Sequence, residues 1–286
     1  MLHNKGLYWL SSYPKSGNTW FRVFLANLLH QNKEPIALNE VDPIINDRIV
    51  TDRTFINEVC GFNTALLSDD ELDTLNPNIY KWIGNNQIDV SYHKLHKAYT
   101  FVNDNEPVIP TEGCLGVLYF VRNPLDIALS LANHFFYSID DAIQMLGNET
   151  YALHHYPLRQ TLLSWSKHVD SWIAAKDINL LVLRYEDMHL NPQAAFSQAV
   201  QFLQIDATPD RIAQSIAFSN FDKLQHIENT SGFMDKPPKL KNFFRKGKMG
   251  DWQNNLTDAQ IQKIIEDHGD TMQTFGYLDK NRQPII

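Results

Sequence analysis

Cysteine is scarce in this sequence: 286 residues hold only Cys60 and Cys114. Two thiols so far apart give neither a disulfide framework nor the paired spacing of a metal knuckle. No stretch nears the roughly 18 apolar residues of a membrane span, so no membrane partner is expected. The opening "MLHNKGLYWLSS" lacks a basic segment leading into a long apolar run, and no signal peptide is expected. Positive charge is not in excess either. A net charge of −8 argues against a nucleic-acid coat or a broad patch for anionic lipid. These absences imply a soluble, reducing, cytoplasmic setting, and they require any anion site to be a local concentration of basic groups. Internal repeats, low-complexity tracts and interdomain linkers are also missing.

What is present suits one α/β domain spanning residues 1–286, with 43% hydrophobic residues to build its core. "LYWLSS" (7–12) is a short apolar strand leading into a helix whose core face carries Phe21, Phe24, Leu25, Leu28 and Leu29. "GVLYFV" (116–121) and "NLLVLRY" (179–185) are continuous apolar runs, as buried parallel strands are. "RNP" ends the first of these, with Asn123 as helix cap and Pro124 at the first helical position; "NP" at 191–192 repeats the pattern. The apolar spacing of 157–176 predicts a long amphipathic helix. Strand–helix alternation of this kind implies a parallel sheet flanked by helices on both faces, with ligands bound beyond the carboxyl ends of the strands. Residues 31–88 and 136–157 are irregular in polarity and rich in Asn and Asp, and are read as insertions over the site.

"YPKSGNTW" (13–20) lies where such a sheet binds anions. A tight turn feeding a helix N-terminus aims successive backbone N–H groups at one point. Gly17 permits close approach, Lys15 adds charge, and Ser16, Asn18 and Thr19 offer side-chain donors. It is not the nucleotide triphosphatase loop, because the lysine precedes the glycine and no first glycine stands before it.

This stretch resembles the 5′-phosphosulfate loop of the cytosolic-type sulfotransferases, Tyr-Pro-Lys-Ser-Gly-Thr-Thr-Trp, departing only at Asn18. Three further segments agree in order. "VLYFVRNPLDIALS" (117–130) is similar to the family's 3′-phosphate segment, with Arg122 and Ser130 eight residues apart. "LVLRYEDMHLNP" (181–192) matches a segment in which Tyr185 approaches adenine and Glu186 and Asp187 are structural. "FFRKGKMGDWQNNLT" (243–257) resembles the C-terminal signature, departing at Gln253; there Arg245, Lys246 and Gly247 wrap the 3′-phosphate. "FSNF" (218–221) aligns with the family's Thr-Ser-Phe, implying Ser219 and Phe221 beside adenine, with the Trp20 ring added.

The resemblance implies a P-loop-like α/β fold. It also implies sulfuryl transfer from 3′-phosphoadenosine 5′-phosphosulfate to a hydroxyl or amine of a small-molecule acceptor, without a metal. In-line attack on sulfur needs a base, and a neutral imidazole suits the task. The family places it at a strand end of Lys-Thr-His-Leu type, which "KLHK" (94–97) fits as Lys94 and His96, departing at Leu95 and Lys97. Positions 94 and 96 share a strand face, whereas His93 faces away. His134 and the pair His154–His155 are the rivals, and His168 is read as structural. Lys15 then meets charge on the bridging oxygen and Lys94 the transferring oxygens. Phe135, Phe136, Tyr137, Tyr151, Tyr156 and Phe233 are candidates for an apolar acceptor pocket. A P-loop small-molecule kinase is the alternative enzyme class, but it wants a lysine after the glycine and an acidic Mg²⁺ ligand at a strand end. A catalytically silent nucleotide-binding module is a third reading. Acceptor identity and oligomeric state are not legible.

Overall fold

The computed structural model describes residues 5–30, 33–41, 44–46, 48–103, 105–154 and 158–285. Chain order runs β1 (Gly6–Ser12), α1 (Asn18–His30), β2 (Ile45–Asn46), α2 (Arg48–Thr51), α3 (Arg53–Cys60) and α4 (Asp69–Asn85). It continues through β3 (Val90–Leu95), the antiparallel pair β4 (Phe101–Val102) and β5 (Glu106–Pro107), then β6 (Cys114–Val121), α5 (Pro124–Phe135) and α6 (Ile139–Gly147). A second antiparallel pair, β7 (Ala152–Leu153) and β8 (Gln160–Thr161), precedes α7 (Trp165–Ile173), β9 (Leu180–Arg184), α8 (Tyr185–Leu190) and α9 (Pro192–Phe202). Helices α10 (Pro209–Phe218), α11 (Phe221–Ser231) and α12 (Asp258–Thr274) complete the order.

The main sheet has the strand order β2-β3-β1-β6-β9, and every pairing is parallel. Every residue of β1 is buried, as expected of a central strand covered on both sides. The two-residue period shows in how its side chains divide. Leu7 and Trp9 join Val117, Tyr119 and Val121 in one core, against α5, α7 and α12. Tyr8 and Leu10 join Leu118 and Phe120 in the other, against Phe21, Phe24, Leu25 and Leu28 of α1 and Phe196 of α9. Helices thus cover both faces of one domain. Ser12, Leu95 and Val121 end adjacent parallel strands, so the loops that follow them meet at one edge.

Three local expectations are corrected. The predicted helix over 157–176 is a helix only at Trp165–Ile173. Leu163 has a φ of 63°, which breaks the run, and Ser164 then caps the helix by accepting the Lys167 N–H. Leu158 and Leu162 are buried from an irregular stretch, so their helical spacing is coincidental. Second, the irregular polarity of 31–88 and 136–157 does not exclude helices: the first holds α2, α3 and α4, and the second holds α6. Ser68–Glu71 and Ser138–Asp141 each form a reciprocal capping box that starts a helix, α4 and α6. Third, Asn123 caps α5 through the Leu125 N–H, but Asn191 makes no side-chain cap. Its backbone already closes α8 on the Asp187 carbonyl, leaving its dihedrals between the two helices. His155, Tyr156 and Pro157 lie outside the described residues.

Candidate active site

The β1–α1 turn has the conformation an anion loop requires. Lys15 and Gly17 both have positive φ, at 71° and 98°, and α1 begins at Asn18. A Cβ on Gly17 would lie 2.6 Å from the Tyr185 ring, so no other residue fits there without moving that ring. The Ser16 hydroxyl is buried and finds no hydrogen-bond partner among the described residues. Asn18 corrects an expectation: its side-chain amide donates to the Leu10 carbonyl at 2.8 Å. That donor is committed to β1, leaving the Asn18 main chain as its contribution to the turn.

Beyond the strand ends lies a cavity of about 690 Å³. Every residue assigned a catalytic or donor-binding role from sequence lines it, except Ser16 and Ser219. Ser219 is buried at the end of α10 and donates to the Ser215 carbonyl at 3.0 Å, because a hydroxyl at a helix terminus bonds back to the preceding turn. Its neighbours Asn220 and Phe221 line the cavity instead. One rival base, His134, lines the cavity, whereas His154 is exposed beside Asp69.

Cations converge on this space from four segments. Arg122, at the exit of β6, donates to the Lys15 carbonyl at 3.1 Å and the Lys248 carbonyl at 3.3 Å, and lies 4.1 Å over the Tyr185 ring. It therefore knits the phosphate loop to the C-terminal loop. Arg245 and Lys246 meet the Asp251 carboxylate at 3.2 and 2.7 Å. Gly247 has a φ of 57°, and a Cβ there would fall 2.0 Å from Phe221. Behind these groups, Asp126 accepts from the N–H groups of Gly250 and Trp252 at 2.9 and 3.1 Å. Glu186 is buried and accepts from the Asn123 N–H and the Tyr277 hydroxyl, a structural part as expected.

Lys15 meets two rings. Its ammonium lies 3.4 Å from His134 Nδ1 and 4.3 Å over the Phe243 ring. Burial, then the charges of Arg122 and Lys94, push its pKa down to about 7. His96 follows the last residue of β3, and its Nδ1 is 2.7 Å from the Ser12 carbonyl. A carbonyl only accepts, so Nδ1 carries the proton and Nε2 keeps its lone pair. Burial, reinforced by Lys94, holds this imidazole well below its usual pKa, hence neutral. His93 faces the other way, its ring beside Trp9 and its Nε2 3.0 Å from Ser91 Oγ.

Sequence reasoning missed His189, which lines the cavity and packs 4.6 Å from both Trp20 and Tyr185. Its spacing of four from Tyr185 on one helix was the available signal. Phe243, Phe244, Leu153 and Met234 line the apolar part, and of the aromatic candidates Phe135 does so. Phe136 is exposed, and Phe233 packs behind Phe243 and Phe244. Of the two insertions, 136–157 contributes Leu153 to the wall; among the described residues 31–88 contributes none. No group of three or more His, Cys, Asp or Glu among the described residues is placed to hold a metal. Among those residues no helix is long and apolar enough to cross a membrane.

The sequence matches the family model described as "Sulfotransferase domain" over residues 7–276. It is 26% identical over 170 residues to Sulfotransferase 2A6 of Mus musculus, a match covering 53% of this chain and 55% of that protein. The chain thus spans about half the length of the curated relatives of this kind. It is 24% identical over 267 residues to Sulfotransferase 1 family member D1 of Rattus norvegicus, covering 91% of this chain and 81% of that one. Two solved structures share the fold: retinol dehydratase with androsterone and inactive cofactor PAP, and mouse sulfotransferase SULT7A1 complexed with PAP. The first has a TM-score of 0.65 and 17% identity, covering 96% of this chain and 83% of its own. The second has 0.61 and 20%, covering 94% and 85%. The family match runs from the first strand past the last helix and takes in every segment that lines the cavity: the chain belongs to the sulfotransferase-domain family.

Proposed function

We propose that this protein transfers a sulfuryl group from 3′-phosphoadenosine 5′-phosphosulfate to a hydroxyl or amine of a small-molecule acceptor, with His96 as the base. Adenosine 3′,5′-bisphosphate is the nucleotide product. The observation that carries the reading is His96 itself, neutral and pinned through Nδ1 to Ser12, in the same cavity as Lys15 and Lys94. The residues present fit the donor. A glycine turn with the Ser16 hydroxyl, unpartnered among the described residues, suits the 5′ group, and Arg122, Ser130, Arg245, Lys246 and Gly247 suit the 3′-phosphate. Trp20, Tyr185, Phe221 and His189 supply ring faces for adenine. The donor brings the sulfuryl group and a phosphate leaving group; the chain supplies position, charge and a proton acceptor.

His96 Nε2 takes the acceptor proton as the acceptor atom bonds to sulfur. Lys15 stabilises the charge left on the departing phosphate oxygen, and Lys94 the sulfuryl oxygens. Phe135, Leu153, Phe243 and Met234 form the acceptor wall, with 136–157 as a selecting segment. The kinase alternative has no support in the order of lysine and glycine here.

Incubation with labelled donor and a metabolite extract identifies the acceptor as the mass that rises by one sulfate group. With that acceptor, His96→Ala should lower turnover by about 10²–10⁴-fold, the usual contribution of a general base, and spare nucleotide binding. Retention of more than about a tenth of the activity overturns the assignment. Label transfer from ATP and Mg²⁺ instead would overturn the sulfotransferase reading.

A further inference from the structure

His96 stands one residue beyond the ladder of β3, whose last paired position is Leu95 opposite Ser11. Its backbone is buried, so its N–H and C=O need partners from outside the sheet. Two buried side chains supply them. Gln160 of β8 accepts the His96 N–H through Oε1 at 3.1 Å. His168 of α7 donates from Nε2 to the His96 carbonyl at 3.0 Å, and its Nδ1 accepts from the Tyr119 hydroxyl at 2.8 Å. Because the carbonyl fixes the Nε2–H tautomer, the Tyr119 hydroxyl fits the remaining nitrogen, and the His168 ring is saturated. Gln160 and His168 are 1% and 0% exposed.

The flanking residues brace the same contact. Lys97 follows His96, Arg159 precedes Gln160, and both meet the Asp73 carboxylate of α4 at 2.6 Å. Trp172 Nε1 donates to the Lys97 carbonyl at 3.1 Å. The irregular turn carrying the imidazole is thereby held against β8, α7 and α4 at once, while the Nδ1 bond to Ser12 sets the ring.

We propose that Gln160 and His168 are positioning residues for His96: they hold its main chain so that Nδ1 stays on the Ser12 carbonyl and Nε2 faces the transfer. The proposal rests on the reading of His96 as the base. Placement matters here because a misplacement of about 1 Å can lower a rate by about 10²-fold.

The test uses Gln160→Met and His168→Leu, with His168→Gln as the conservative partner, because its amide N–H can reach the same carbonyl. Should His168→Leu fail to fold, His168→Asn replaces it, being polar but too short to span. With the acceptor found by the labelled-donor screen, kcat should fall by about 10- to 100-fold in Gln160→Met and His168→Leu. Bisphosphate affinity and the donor KM should stay within about twofold, and His168→Gln should recover most of the loss. Independently of turnover, ¹⁵N NMR of histidine-labelled protein should show one Nδ1–H tautomer for His96 in the parent. A mixture is expected in Gln160→Met and His168→Leu, and return to one tautomer in His168→Gln. A single tautomer in every variant, or an unchanged kcat alongside an inactive His96→Ala, overturns the positioning role and leaves the base intact. Activity retained in His96→Ala overturns the base and the inference together.

Discussion

Lys15 is the cation whose charge state should depend on the ligand. Burial and the neighbouring Arg122 and Lys94 lower its pKa to about 7 in the free protein. At pH 8 only about a tenth of the molecules then carry the ammonium. A bound phosphate supplies the missing counter-charge and returns the group toward its ordinary range. Binding of adenosine 3′,5′-bisphosphate at pH 8 should therefore draw about 0.9 proton from solution. The ligand does not mask this, because phosphate second pKa values lie near 6 and both groups are already ionised. At pH 6 the lysine is already charged and contributes only about 0.1, while the phosphates, near their second pKa there, release protons of their own on binding. The sign follows from the same linkage: the complex holds more protons than its parts, so affinity falls as pH rises above about 7, approaching tenfold per unit. Titration calorimetry at pH 8 in buffers of different ionisation enthalpy reads the uptake as the slope of apparent enthalpy. Lys15→Met should flatten that slope. Equal apparent enthalpies in HEPES and Tris would refute the reasoning, since Lys15 would already be charged in the free protein.

Arg245→Ala should weaken bisphosphate binding by about 10- to 100-fold, as loss of a charged hydrogen-bond partner does, and should spare an analogue lacking the 3′-phosphate. Arg122→Ala should weaken both ligands, because Arg122 also holds the Lys15 carbonyl in the 5′ loop; selective loss of the 3′-phosphorylated ligand would refute that coupling. Gly247→Ala should lower bisphosphate affinity at least tenfold, because its Cβ would meet Phe221 at 2.0 Å and displace a cavity wall; unchanged affinity by fluorescence titration would exclude the contact. Glu186→Ala should cost about 2–4 kcal/mol in chemical denaturation, by stranding the Asn123 N–H and the Tyr277 hydroxyl; a loss below about 1 kcal/mol would contradict their dependence on this carboxylate.

The site was most legible where contiguous residues do the work. In "YPKSGNTW" the turn, the charge and the helix start are adjacent, and the structure gathers them as expected. "RNPLDIALS" was readable because a strand end and a helix face fix where Arg122 and Ser130 sit. What stayed hidden depends on partners far away in sequence. The Asn18 amide turns to Leu10, and the Ser219 hydroxyl turns to its own helix; residue type reveals neither. The 157–176 pattern failed for a similar reason: apolar spacing counts buried residues but does not say whether a helix buries them. Leu163 in the left-handed region is unforeseeable by periodicity, whereas Ser164 three residues before Lys167 marked a start. The two capping boxes in the insertions were readable signals that irregular polarity obscured.

The charge pattern explains why burial acts on Lys15. A chain with net charge −8 can gather this many cations by setting carboxylates behind them. Arg245 and Lys246 lean on Asp251, and Arg122 lies 3.8 Å from Asp126. Asp126 accepts from two backbone N–H groups, which with Arg122 oppose the upward push that burial gives its pKa. Lys15 instead rests on an imidazole nitrogen and an aromatic face. Those contacts hold it in place without matching its charge, and Asp235 offsets only part of the repulsion. A ligand phosphate therefore adds more at Lys15 than at Arg245 or Lys246, where it must compete with Asp251. On this argument Asp251→Asn should tighten bisphosphate binding while leaving the proton uptake at pH 8 unchanged. Weaker binding in that variant would mean that Asp251 shapes the loop more than it competes for its cations.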